Sequence, residues 1–178
     1  MECPGIDINL GFIGYRDVGE SYVNINFTQD YYRLQLNIQN LQASGGMGDG
    51  PEDVAWAMEA ALKKDWKSNA KFAIFIADAP CHGKKYNKLS PKDLYPNGAP
   101  GRRNIEDIMK DFARRDISLY CMEITVYTQE MFEMFEDTYM NYSNADFRII
   151  PMNSAEELSD TVIDSAATVY VSQRNRKR

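Results

Sequence analysis

The chain has 178 residues, enough for one domain with or without a tail. Its 44% hydrophobic and 26% charged residues exclude a disordered chain, a collagen and a coiled-coil fibre. Twenty basic residues face 26 acidic ones, and four of the basic residues lie in Arg174–Arg178, so the body carries 16 against 26, a net −10. Phosphate backbones repel such a body, which leaves only the tail for nucleic-acid contacts.

Cys3, Cys81 and Cys121 cannot form a fully paired disulfide framework and lack the CxxC spacing of a zinc site. They read as free thiols of a reducing compartment. The first residues, Met-Glu-Cys-Pro-Gly, have neither a basic nor an apolar leader segment. No apolar run approaches the ~20 residues of a membrane span. These features suggest a cytoplasmic protein with no membrane partner, and the basic tail adds a candidate nuclear address.

In chain order, Ile6–Tyr15 alternates and then runs apolar, which predicts a largely buried strand. Turn chemistry at 16–21 and renewed alternation over Tyr22–Phe27 predict an antiparallel edge hairpin. Leu34, Ile38 and Leu41 give Tyr31–Leu41 a helical spacing. Ser44–Asp53 follows, with four glycines in six residues, and Pro51 suits the first position of a helix. Glu52 and Asp53 would lie at the positive end of that helix dipole. Val54, Ala57, Met58, Ala61 and Leu62 make its apolar face.

Lys71–Ala77 is continuously apolar, as expected of a central parallel strand covered on both faces, and it stops at Asp78. The segment 79–103 is a long loop of the kind that often carries function. Asn104 predicts an N-cap for a helix burying Ile105, Ile108, Met109 and Phe112. Arg114 and Arg115 suit its C-terminal end. Ile117–Ile124 and Phe147–Ile150 read as strands. Thr128 is the expected cap of a helix bearing Met131, Phe132 and Phe135. Ser154-x-x-Glu157 is a capping box before a last helix lined by Leu158, Val162, Ala166 and Val169. The alternation predicts a Rossmann-like α/β three-layer sandwich, with a mainly parallel sheet and an antiparallel edge hairpin. Its ligands would bind at the carboxyl ends of the strands, which points to Asp17, the glycine loop and Asp78.

The glycine loop is a poor phosphate cradle. GxxxxGK[ST] is absent, and Asp49, Glu52 and Asp53 would repel a pyrophosphate. Asp49 and Asp78 suit a hard cation better, if both are not merely turn residues. His82 is the only histidine, which excludes a multi-histidine metal site, and its neighbour Cys81 is poorly placed to form a catalytic pair with it. Tyr15-Arg16-Asp17 is a candidate strand-end site, and Tyr31, Tyr32, Tyr86 and Tyr95 are candidate surface aromatics. No GxSxG nucleophile elbow occurs.

GFIGYRD, SGGMGDGPEDV opening a helix, and FIADAPCHG closing a strand, in this order, resemble a von Willebrand factor type A domain. The resemblance is to the versions attached to alpha-type protein kinases, the elongation-factor-2-kinase-like group. YPNGAPGRRNIEDIMKDFARRDISLYCMEI and TQEMFEMFEDTY extend it over 6–172, leaving 173–178 as a basic tail.

The resemblance implies a non-catalytic protein-binding module, whether a whole protein or a fragment of an alpha-kinase-associated one. It implies a metal-ion-dependent adhesion site in which Asp49 and Asp78 match two elements. The third, DxSxS after the first strand, is absent, and the family's central first strand would precede Ile6. Mg²⁺ or Ca²⁺ binding is therefore expected to be weak unless that strand is supplied. Self-association through the resulting gap is a further expectation. The implied binding edge comprises Asp17, Gly48, Glu52, Cys81 and His82. The alternative is a small α/β enzyme using Asp78, Cys81 or His82.

Overall fold

A computed structural model describes residues 7–42, 48–89, 92–142, 145–152 and 157–175. Cys3, Ile6, residues 44–47, Pro91, Ser154 and the end of the basic tail lie outside these. So do the side chains of Leu158, Val169 and Arg174.

The elements run β1 Leu10–Gly14, β2 Val23–Thr28, α1 Tyr31–Gln39, α2 Val54–Leu62 and β3 Phe72–Ala77. They continue with α3 Ile105–Arg114, β4 Ser118–Glu123, α4 Gln129–Met140, β5 Phe147–Pro151 and α5 Glu157–Asn175. This is the alternation expected of an α/β Rossmann-like fold. β3, β4 and β5 form a parallel sheet in that order, with Phe72 opposite Ser118 and Leu119 opposite Phe147. β1 and β2 form a separate antiparallel ribbon, irregular between Leu10 and Phe12.

The core lies where α2, α3 and α4 cover the parallel sheet. β4 is its centre: Leu119, Tyr120, Cys121 and Met122 are wholly buried. Ile108, Met109 and Phe112 of α3 meet Phe132, Phe135 and Tyr139 of α4. Phe75 and Phe135 both pack edge-on against Phe132. The Tyr139 hydroxyl donates to the Ile117 carbonyl, giving a buried polar group its partner. Asn104 caps α3 as expected, its Oδ1 accepting from Glu106 N at 2.9 Å.

Several expectations change. β3 is an edge strand among the described residues, because only β4 pairs with it, and Ile76 is consequently 41% exposed. β1 is shorter than Ile6–Tyr15, and its residues are exposed or half-buried, since the ribbon is not part of the larger sheet. α1 ends at Gln39 rather than Leu41 and buries only Leu34, whereas Ile38, and Leu41 beyond its end, stay exposed because the ribbon offers α1 little surface. Pro51 is not at the first helical position. Glu52 is bridged to Cys81 in strand fashion, so the helix starts three residues after Pro51, with Asp53 as its cap. Thr128 precedes α4 without capping it, its hydroxyl turning back to the Thr125 carbonyl at 2.9 Å. Tyr86 is buried rather than a surface aromatic.

Phe112 is wholly buried in the core, so truncating its ring leaves a large unfilled space. Phe112→Ala is expected to cost about 3–5 kcal/mol of unfolding free energy. Urea denaturation measures it, and a loss below about 1 kcal/mol would contradict this core assignment.

Candidate functional site

The backbone first brings together three chain segments: the turn after β1, the glycine loop with the start of α2, and the loop after β3. Asp53 N donates to the Arg16 carbonyl at 3.2 Å, and Glu52 N donates to the Pro80 carbonyl at 2.9 Å. Gly48 has φ +87° and Gly83 φ +116°, values that L side chains rarely adopt. At Gly83 a Cβ would also sit 3.0 Å from the Tyr86 ring. These turns place Asp49 and His82 side by side.

His82 is the hub. Its side chain is 1% exposed. Nε2 stands 2.8 Å from Asp17 Oδ1, and Nδ1 stands 2.8 Å from Asp93 Oδ1. Asp49 Oδ2 lies 4.0 Å from Nδ1. Tyr95 meets the imidazole edge-on at 4.9 Å.

Burial alone would lower the His82 pKa. Hydrogen bonds to Asp93 and Asp17, and their charges, instead hold it above the ordinary value. Burial likewise opposes ionisation of Asp93, but His82 and the donors Gly83 N, Asn87 Nδ2 and Tyr95 N outweigh it and hold its pKa low.

Glu52 faces the same group with the opposite balance. Burial raises its pKa to about 7, and repulsion by Asp17, Glu20 and Asp78 adds to this, partly opposed by His82. Its Oε2 is buried without a hydrogen-bond partner, as are Asp17 Oδ2 and Asp49 Oδ1.

A second network adjoins the first. Asp53 has a fully buried carboxylate that accepts from Trp56 N at 3.1 Å, from the Tyr22 hydroxyl at 2.6 Å and from Arg102 Nε at 2.8 Å. Tyr22 stacks on Trp56 with ring centres 3.8 Å apart. The ribbon, α2 and the long loop are thus tied at one carboxylate.

The structure gathers Asp17, Asp49 and His82, with Gly48, Glu52 and Cys81 around them. Asp17, Asp49 and His82 each offer a ligand atom, all within 4.8 Å of one another, and among the described residues Asp78 is not in that group. Asp78 is exposed, and its carbonyl accepts from Thr125 Oγ1 at 2.5 Å. A donor set of one imidazole and two carboxylates does not match the all-oxygen shell Mg²⁺ prefers. Cys81 is buried, its N–H directed at Met131 Sδ at 3.1 Å, and burial pushes its thiol pKa far up. Asp93, Tyr22 and Arg102 had no signal in the sequence, since each sits in loop or ribbon sequence whose partners are distant.

The comparisons bear out the resemblance of this chain to a von Willebrand factor type A domain of the alpha-kinase-attached kind. Over 136 residues, 74% of the chain, it is 32% identical to alpha-protein kinase vwkA of Dictyostelium discoideum. The match spans only about a fifth of that relative's length, 21%. Against the crystal structure of the SpRpn10 VWA domain the TM-score is 0.48 at 15% identity, covering 86% of this chain and 70% of that one. No family model matches.

The two groups whose pKa is raised, Glu52 and His82, make stability fall with rising pH, whereas Asp93, held low, makes it fall only as pH drops below the ordinary carboxylate range. The folded pKa of Glu52, about 7, exceeds its ordinary 4.5, so its contribution is lost as pH rises from about 4.5 through 7. His82, raised above 6.5, contributes fully below that value and loses its contribution as pH passes its folded pKa. In chelator-containing buffer, Glu52→Gln is expected to raise the melting temperature at pH 8 and to leave it unchanged at pH 4. Equal melting of the two chains at pH 8 would contradict the placement of Glu52.

Proposed function

We propose that this chain is a non-catalytic protein-interaction module that binds a folded protein partner at the carboxyl edge of its parallel sheet. The observation that carries the reading is the state of its reactive groups. The Cys81 thiol is buried and its pKa driven up, the reverse of what a nucleophile needs. Both ring nitrogens of His82 are engaged by carboxylates, so a substrate would have to break one of those bonds to use it. Asp78 stands exposed, outside the buried His82 group.

The same edge carries apolar surface. Ile76 is 41% exposed, Ile124 45%, Val126 62% and Tyr127 49%, all at the carboxyl ends of β3 and β4. Exposed aromatic and branched side chains beside polar residues suit a protein partner. The chain's likeness to part of a kinase supports a role as a docking segment rather than as the catalyst. Mg²⁺ at Asp49 and Asp78 is proposed to bind weakly, and a cytoplasmic location remains part of this reading.

The test pairs binding with reactivity. Val126→Asp with Tyr127→Asp is expected to weaken capture of the partner at least about tenfold, with the melting temperature held within about 2 °C. Alkylation of Cys81, followed by mass spectrometry, is expected to run at least about tenfold slower in the native chain than in denaturant. Rapid native alkylation at Cys81 would favour the enzyme reading.

A second reading rests on the two separate sheets. Among the described residues β1 pairs only with β2 and β3 only with β4, and an unpaired strand edge is a pairing site. Self-association through those edges predicts a dimer in sedimentation at micromolar concentration. A monomer at every concentration tested would set this second reading aside.

A further inference from the structure

We infer that Asp17, Asp49 and His82 hold a divalent ion of the borderline kind that accepts an imidazole nitrogen beside carboxylates, with Zn²⁺ as its probe. This is a different ion and a different ligand set from the Asp49 and Asp78 pair that the resemblance implies.

Geometry makes the first argument. The three residues bring one ligand atom each to within 4.8 Å of one another. Two ligands of a tetrahedral Zn²⁺ ion, each about 2.1 Å away, stand about 3.4 Å apart, so the three residues need close in by only about an ångström to hold it. The residues come from three separate segments, and the side chains of Asp17, Asp49 and His82 are 1%, 0% and 1% exposed.

The unused atoms make the second. The Asp17 carboxylate faces the imidazole, its Oδ1 on Nε2, while its Oδ2 is buried with no protein partner. Asp49 Oδ2 accepts from Leu94 N at 2.8 Å, while its Oδ1 is likewise buried and unpartnered. Buried carboxylate oxygens demand a donor or a cation. The ion-pair partner that the structure gives both residues is His82, one imidazole between three carboxylates once Asp93 is included.

The support behind the histidine makes the third. Nδ1 meets Asp93 Oδ1, and Asp93 is itself fixed by Gly83 N at 2.9 Å, Asn87 Nδ2 at 2.7 Å and Tyr95 N at 2.8 Å. A carboxylate holding one ring N–H and presenting the other nitrogen is the usual backing of a metal-binding histidine. The imidazole also decides the ion, because nitrogen suits Zn²⁺ and all-oxygen shells suit Mg²⁺. An ion here would pin the turn after β1 to the loop after β3.

The experiment uses the untagged full chain, stripped with chelator and labelled with ¹⁵N. The chain has one histidine, so every imidazole resonance belongs to His82. Zn²⁺ is expected to shift Nε2 while Nδ1 keeps its proton toward Asp93, and Mg²⁺ at the same concentration is expected to leave both unmoved. The melting temperature should rise by about 5 °C or more once free Zn²⁺ exceeds its Kd a hundredfold. Asp17→Asn should weaken Zn²⁺ at least about tenfold, and Asp93→Asn about tenfold, with Asp78→Asn within about twofold of the native chain. Failure of Zn²⁺ to move the His82 resonances in the native chain overturns the inference, whether or not the variants fold. So does loss of the shift in Asp78→Asn with its retention in Asp17→Asn. Partner capture at Val126 and Tyr127 is read separately, so failure of the ion leaves the interaction reading standing.

Discussion

The His82 imidazole, held between Asp17 and Asp93, joins two sheets that no ladder connects among the described residues. β1 and β2 form one sheet, and β3, β4 and β5 another. What connects them is the bond of His82 to Asp17, the Tyr15 ring leaning on Phe75 at 5.9 Å, and α2, where Asp53 N meets the Arg16 carbonyl, Trp56 stacks on Tyr22, and Lys64 beyond its end donates to the Ile25 carbonyl. A ladder adds bonds one residue at a time, and the loss of one rung is tolerable. A buried polar hub works differently, because removing one member leaves its partners desolvated and unpaired. Placement of the ribbon therefore depends, beside its aromatic contacts, on a few polar side chains and on their charge state.

That dependence explains why the electrostatics are uneven. Asp53 is matched fully: an arginine, a tyrosine hydroxyl and a helix N–H satisfy it. The neighbouring group around His82 is not, for Asp17, Asp49 and Asp93 crowd one imidazole, and beside them burial, with repulsion by Asp17, Glu20 and Asp78, holds the Glu52 pKa up to about 7. Two carboxylate clusters a few residues apart thus behave in opposite ways. One is a structural rivet. The other carries surplus negative charge at the end of the sheet where α/β proteins place their ligands.

Much of the architecture was legible in the sequence, because apolar periodicity reports which face of an element is covered. The order of strands and helices followed from it, and so did the buried faces of α2, α3 and α4. Periodicity does not report what does the covering. The helical spacing of Leu34, Ile38 and Leu41 was real, yet α1 lies on a two-stranded ribbon and buries only Leu34. The apolar run of β3 suggested two neighbours, and the described residues supply one. At the site, GFIGYRD, the glycine loop and ADAPCHG marked Asp17, Asp49 and His82 individually. Their meeting was not legible, since Asp17 and His82 are 65 residues apart and the bond is a property of the folded chain. Asp93 carried no signal at all: an aspartate among lysines, prolines and tyrosines is ordinary loop sequence until the histidine arrives.

The 65-residue separation between Asp17 and His82 also bears on the order of assembly. Local pieces such as the hairpin and the capped helices close short loops and can form early. The contact between the turn after β1 and the loop after β3 closes a long loop, whose entropy must be lost before the contact gives anything back. The parallel sheet and its helices can reach their packing without it. The ribbon then docks late, on the polar hub together with the aromatic contacts of Tyr15, Tyr22 and Phe27 with Phe75, Trp56 and Trp66. Whatever engages the hub acts as a latch on a joint that Tyr15 on Phe75 and Phe27 on Trp66 have begun to close.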